Sequence, residues 1–286
     1  MHPVLFRFPE SIPLIGGFAV NSFGVMLYLA FVVGGFIWQA ELNRKGLSGE
    51  RVWDLVLLAL FGGLVGAKLY WVLWNHEQLA ADPMGTVFSG AGLTWYGGFV
   101  VGLAAVWVGL RKMKLPLGPS LDGMALALPV SIAIGRVGCF LAGDDYGVPT
   151  DSRLGVAFPE GFPPTRVNVL ESRYGITVDP ALVERFGEVV PVHPTQLYEV
   201  AISLVVFGVI LTPREHPHRA GWLFAAWAAL YGVQRFVIEI FRIKEDRIFF
   251  DTLTIAQLIS VAVAGAGVYA MLRMRRTRRD ALSPGS

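Results

Sequence analysis

The chain has 286 residues, 54% of them hydrophobic and only 16% charged, and its mean hydropathy of +0.54 is too apolar for a water-soluble domain of this size. A formal net charge of +2 offers no broad basic surface for nucleic acid. The lone Cys139 excludes an internal disulfide, and without CxxC, HExxH or Cys/His clusters the chain implies no metal and no cofactor.

The opening MHPVLFRFPESIPLIGG lacks the basic stretch and compact apolar core of a cleavable signal peptide, so the first apolar segment is expected to remain as a helix. Apolar stretches able to cross a ~30 Å hydrocarbon core fall at about 20–39, 55–74, 96–110, 122–141, 196–211, 221–240 and 254–272. The expected fold is an all-α integral membrane protein, a single membrane domain over 1–286 with about seven transmembrane helices. Arg44, Lys45 and Arg51 follow the first stretch; Arg111, Lys112 and Lys114 follow the third, and Arg214 and Arg219 the fifth. Five arginines between 273 and 279 follow the seventh, whereas residues 76–94 contain no lysine or arginine. The positive-inside rule then puts the N-terminus in the periplasm and the C-terminus in the cytoplasm of a bacterial inner membrane. The long link 143–193 becomes periplasmic, and its four arginines are compatible with that because charge bias weakens in long loops. Its proline-rich FPEGFPPT is not expected to form a core, so the link is read as a small cap that leans on the membrane body or closes over something.

Four segments carry the polar chemistry. TWYGGFVVG, 94–102, opens the third span with Gly97 and Gly98 leaving Tyr96 toward neighbouring helices. GRVGCFLAGDDYG, 135–147, ends the fourth span with small residues and with Asp144 and Asp145 at the boundary. HPTQLYE, 193–199, starts the fifth, and His193 there is more often an interfacial residue than a base. On the sixth span Tyr231, Arg235, Glu239 and Arg242 follow at spacings that share one helix face, expected to point inward.

Ionisable residues inside spans cost roughly 2.5–3.5 kcal/mol each and are therefore functional candidates. At 1.5 Å per residue, Arg136 lies about 21 Å from Asp122 along its helix and Arg235 about 21 Å from Gly221, which sets both at one depth in the outer leaflet. An ordinary intrahelical Arg235–Glu239 pair explains one arginine. Two arginines at matched depth on separate helices fit an anionic lipid headgroup better.

Together, in this order, the YGG at 96–98, GRVGCFLAGDDYG, HPTQLYE and YGVQRFVIEIFR at 231–242 resemble the signature segments of the prolipoprotein diacylglyceryl transferases, and SFGVMLY at 22–28 is similar to the family's opening segment. The resemblance implies a seven-helix fold that transfers the diacylglyceryl group of phosphatidylglycerol to the lipobox cysteine thiol of a prolipoprotein. It carries the family's arginines onto Arg136 and Arg235, its tyrosine onto Tyr231 and a glycine onto Gly147. This chain departs from the pattern at Phe23 for a tyrosine, Tyr96 for a histidine, Cys139 for an asparagine and Asp144 for a glutamate. The implied catalytic set is Arg136, Arg235, Tyr96 and Asp144; Arg136 again, with Tyr231, Gly97, Gly98, Cys139, Gly147, His193 and Phe23, lines the substrate. Which group acts as base is open. Two other readings remain: a non-catalytic protein that keeps the phosphatidylglycerol pocket, favoured by the substitutions, and a transporter, against which no inverted repeat is visible.

Overall fold

The computed structural model describes residues 2–12, 17, 19–88, 94–243, 247–249 and 253–275. A short antiparallel pair, β1 (Val4–Arg7) and β2 (Ala19–Asn21), leads into α1 (Ser22–Arg44). Then come α2 (Val52–Trp74), two short helices, α3 (His76–Ala81) and α4 (Pro83–Phe88), α5 (Trp95–Lys112) and α6 (Leu117–Ala142). Beyond these lie α7 (Val167–Tyr174), α8 (Pro180–Phe186), α9 (Thr195–Leu211) and α10 (Trp222–Phe241), and the pair β3 (Arg247–Phe249) and β4 (Leu253–Thr254) precedes α11 (Ile255–Met274). Among the described residues five helices, α1, α2, α6, α10 and α11, are long and apolar enough to cross a membrane, and α9 is a shorter apolar helix. Many of their large apolar side chains are exposed, as Phe36, Phe61, Val205 and Leu272 are, which suits a lipid solvent and not water.

The chain divides into two compact units, Gly35–Gly123 and a second formed by Met1–Gly34 with Met124–Ser286. In the first, α2 and α5 approach backbone to backbone. A Cβ on Gly66 would collide with the Gly97 carbonyl, and one on Gly62 would lie 2.8 Å from Ala105 Cβ. Small residues permit this contact where no hydrophobic force separates protein from lipid. The polar end of this unit is tied by Trp38 Nε1 donating to the Ser120 carbonyl at 3.0 Å and by Lys45 Nζ lying 3.3 Å from the buried Asp122 carboxylate.

In the second unit α10 packs on α11 through Gly232, where a Cβ would meet the Ser260 carbonyl at 2.6 Å and Ala264 N at 2.7 Å. Gln234 Nε2 donates to Ser203 Oγ of α9 at 2.8 Å, so a buried polar pair joins α10 to α9. A capping box on Thr254 and Gln257 starts α11.

The segment 143–193 corrects one sequence expectation. It has a core of its own, built from Tyr146, Phe158, Leu170, Val178, Val190 and Val192. Phe158, from the proline-rich piece, is fully buried, stacked on Tyr146 and edge-on to Phe140. The prolines turn the chain, and the apolar side chains that fill the centre come from α7 and the extended pieces around Val178 and Val190–Val192.

Candidate functional site

The site assembles where α6, α9 and α10 end or begin. α6 stops at Ala142 because Gly143 takes φ of 70° and its N–H bonds back to the Cys139 carbonyl. Asp144 donates its N–H to the same carbonyl, and Asp145 then adopts a left-handed φ of 58°. Two residues later Gly147 forms an antiparallel bridge with Arg242, the residue after α10. Glycine is required there. A Cβ would run into the Phe241 carbonyl and sit 2.9 Å from both His193 Cβ and Thr195 Cγ2. Three chain segments therefore meet at Gly147.

Around this junction the charges are paired in a chain. Arg136 Nε lies 2.5 Å from Glu199 Oε2 and Arg136 Nη1 lies 2.7 Å from Asp145 Oδ2. The other Asp145 oxygen accepts from Arg242 Nη2 at 2.9 Å. Arg235 Nη1 lies 2.7 Å from Glu239 Oε2 one turn along α10, a contact whose angle makes it ionic and not a hydrogen bond. Glu239 is buried and its Oε1 accepts from Thr254 Oγ1 at 3.1 Å. Tyr231 stacks on Trp227, centroids 5.3 Å apart, and stands in the field of Glu199, Arg235 and Arg136.

The two aspartates differ. Burial, then the neighbouring Asp145 charge, pushes Asp144 up to about 6, although the Cys139 thiol, Arg136 and Arg242 pull the other way. Its Oδ1 is buried without a hydrogen-bond partner, while its carbonyl accepts from Gln196 Nε2 at 2.5 Å. For Asp145 burial also acts upward, but the adjacent Arg242 and Arg136 outweigh it and hold the carboxyl below its usual range. A carboxyl near neutrality beside guanidinium groups is suited to taking a proton.

Of the residues singled out from the sequence, Arg136 and Cys139 are in contact, Asp144 and Gly147 lie on the turn that follows them, and Tyr231 stands in the field of both Arg136 and Arg235. Cys139 is buried with Sγ 3.7 Å from Arg136 Nη1. His193 sits at the junction but faces aromatics: its Nδ1 is 3.1 Å from the Tyr198 hydroxyl, Phe241 packs edge-on, and burial lowers its pKa. Phe23 is exposed, and its backbone passes the small Gly138 of α6. Gly97 and Gly98 belong to the α2–α5 contact of the other unit. Tyr96 lies in the first turn of α5, and its side chain lies outside the described residues.

Arg242 does not continue the α10 stripe as its spacing predicts. The helix ends at Phe241, and Arg242 turns extended, with φ −73° and ψ 155°, which sends it to Asp145. Sequence reasoning missed Asp145 and Glu199 as partners of Arg136. One signal for Glu199 was present: Gln196, Glu199 and Ser203 form a buried polar line at spacings of three and four on an otherwise apolar helix.

The profile of the family described as "Prolipoprotein diacylglyceryl transferase" matches residues 9–273. Among curated relatives, a phosphatidylglycerol–prolipoprotein diacylglyceryl transferase of Chromohalobacter salexigens is 28% identical over 286 residues, covering 96% of this chain and 97% of the relative. A protein of the same description from Xanthomonas oryzae is 29% identical over 94% of this chain and 92% of its own. One from Clostridium tetani is 23% identical over 94% and 96%.

Proposed function

The chain belongs to the prolipoprotein diacylglyceryl transferase family, and from that premise we infer that it transfers the diacylglyceryl group of phosphatidylglycerol to the cysteine thiol of a prolipoprotein lipobox. The observation that carries the reading is Arg136, a guanidinium set within a membrane helix and flanked by Glu199 and Asp145 where α6, α9 and α10 meet. Ionisable groups within membrane spans mark functional sites, and the planar guanidinium fork is suited to a lipid phosphodiester.

In the proposed reaction the lipid phosphodiester lies against Arg136 and Arg235, with Tyr231 beside them orienting the headgroup. The substrate sulfur attacks the glyceryl carbon, a C–S bond forms as the C–O bond to phosphate breaks, and glycerol phosphate leaves with the electron pair. Guanidinium groups stabilise the charge that develops on the leaving oxygen. Asp144 takes the thiol proton, which its pKa of about 6 permits. Cys139 is a buried wall residue and not a covalent relay, since the reacting sulfur comes from the substrate.

The proposed topology has seven spans, the N-terminus outside and the C-terminus inside, which sets the junction of α6, α9 and α10 toward the periplasmic leaflet and 143–193 over it as a cap. Basic residues at 44–51, 111–114 and 214–219 support it. The test is incubation of the purified protein with phosphatidylglycerol and a lipobox peptide, followed by mass spectrometry. The peptide is expected to gain one diacylglyceryl group on sulfur and glycerol phosphate to appear in equal amount. A peptide that stays unmodified while the lipid binds would overturn transfer.

A further inference from the structure

We propose that Asp145 is a built-in anion that occupies the phosphate-binding Arg136, together with the neighbouring Arg242, in the lipid-free protein and gives way when the substrate phosphate arrives. The inference rests on the reading of Arg136 as a phosphate contact. Its support is geometric. The two oxygens of Asp145 are divided between two guanidinium groups, Oδ2 at 2.7 Å from Arg136 Nη1 and Oδ1 at 2.9 Å from Arg242 Nη2. A phosphodiester offers the same thing, two oxygens bridging two cations.

The contact is also built to open. The Asp145 side chain is 43% exposed, unlike Glu199 at 6%. Its backbone is anchored independently, because the carbonyl accepts from Thr195 Oγ1 at 2.8 Å and the next turn is pinned at Gly147. The carboxylate can therefore rotate away without moving the loop. Withdrawing the carboxylate alone would leave Arg136 with Glu199 only and take from Arg242 its contact with Asp145, and exchanging one anion for another avoids that cost. After transfer the same carboxylate returns and displaces the departing glycerol phosphate.

An internal competitor raises the apparent dissociation constant in inverse proportion to the fraction of time it leaves the site free. If Asp145 holds the arginines nine-tenths of the time, its removal tightens lipid binding by about 10-fold. Asp145→Asn is the suitable variant, because asparagine tolerates the left-handed φ of 58° and keeps the shape. In transfer assays with phosphatidylglycerol and a lipobox peptide, Asp145→Asn should lower KM for the lipid several-fold. Added glycerol 1-phosphate should inhibit it several-fold more strongly than the wild type, and Asp145→Glu should return both values toward wild type. A KM that is unchanged or raised in a folded Asp145→Asn protein overturns the proposal. Should that variant not fold, Asp145→Ser read in the same two assays decides it. Arg136→Ala measured alongside separates the two levels: if it binds glycerol 1-phosphate as the wild type does, the clamp itself fails. If it loses binding while Asp145→Asn gains none, only the displaceable anion fails.

Discussion

Glu199 of α9 and Arg136 of α6 meet with Oε2 2.5 Å from Nε, and the Glu199 side chain is only 6% exposed. Breaking a buried pair by removing one partner costs about 3–5 kcal/mol, because the remaining charge is left uncompensated. Here Asp145 still faces Arg136, so Glu199→Ala is expected to cost less, about 2–3 kcal/mol, seen as a lower unfolding temperature in detergent. Glu199→Gln, which keeps volume and an acceptor, should fall between. An unfolding temperature equal to wild type in Glu199→Ala would mean that Asp145 alone neutralises Arg136.

Asp144 is expected to set the acid limb of activity. With its pKa at about 6 it is protonated at pH 5 and ionised at pH 7, and only the ionised form accepts the thiol proton, so kcat/KM should rise across that interval and level off above it. Asp144→Asn should leave a low rate without this limb. Stability runs the opposite way: between the unfolded aspartate value of about 3.9 and the folded value near 6 the folded state binds more protons, so this group's contribution declines as pH rises through that window. A wild-type profile that is flat between pH 5 and pH 7 would remove Asp144 as the proton acceptor.

The helices were legible because lipid selects long apolar stretches, and each of the seven apolar stretches read from the sequence is occupied by a helix. Their ends were less so. α1 runs on to Arg44 past the apolar stretch, since Glu41 and Arg44 form an ion pair within the helix, and α6 starts at Leu117, ahead of Asp122, which Lys45 meets. Composition around Phe158 hid the small core of 143–193, whose other members come from residues as distant as Val192. At the site, Arg136 and Arg235 stood out as charges within apolar helices. Their partners did not show equally: Glu239 lies one turn from Arg235 and is legible from spacing, whereas Asp145 and Glu199 reach Arg136 from outside its helix, and no local period encodes a contact between α6 and α9.

Gly147 links backbone geometry to the charge cluster. A methyl group in Gly147→Ala would press on the Phe241 carbonyl, His193 and Thr195 at once. None of these is the far end of a flexible side chain, so the junction has to shift. Overpacking of this kind costs about 1–3 kcal/mol, and Arg242, held opposite by the same bridge, would move with it. Unfolding temperature and transfer rate should therefore fall together, whereas a stable variant with wild-type rate would show that the junction yields without disturbing Arg242.

Arg136 and Arg235 are expected to act on one phosphate. Each has an acidic partner in the resting protein, Glu199 and Asp145 for the first and Glu239 for the second, and both bear on Tyr231. Replacing either with alanine removes a charge-assisted contact worth about 1.5–3 kcal/mol, which if made in the transition state lowers the rate by roughly 10- to 150-fold. Lysine should rescue only in part, because it keeps the charge but loses the planar fork that grips two oxygens. Since the two residues hold the same group, the double variant should lose less than the product of the single losses. Transfer by the two single variants and the double variant in proteoliposomes, with folding checked by unfolding temperature, measures this. Losses that multiply would assign the arginines to separate groups. A folded Arg136→Ala protein with near wild-type rate would remove the clamp, and with it the reason for a charge at that depth of α6.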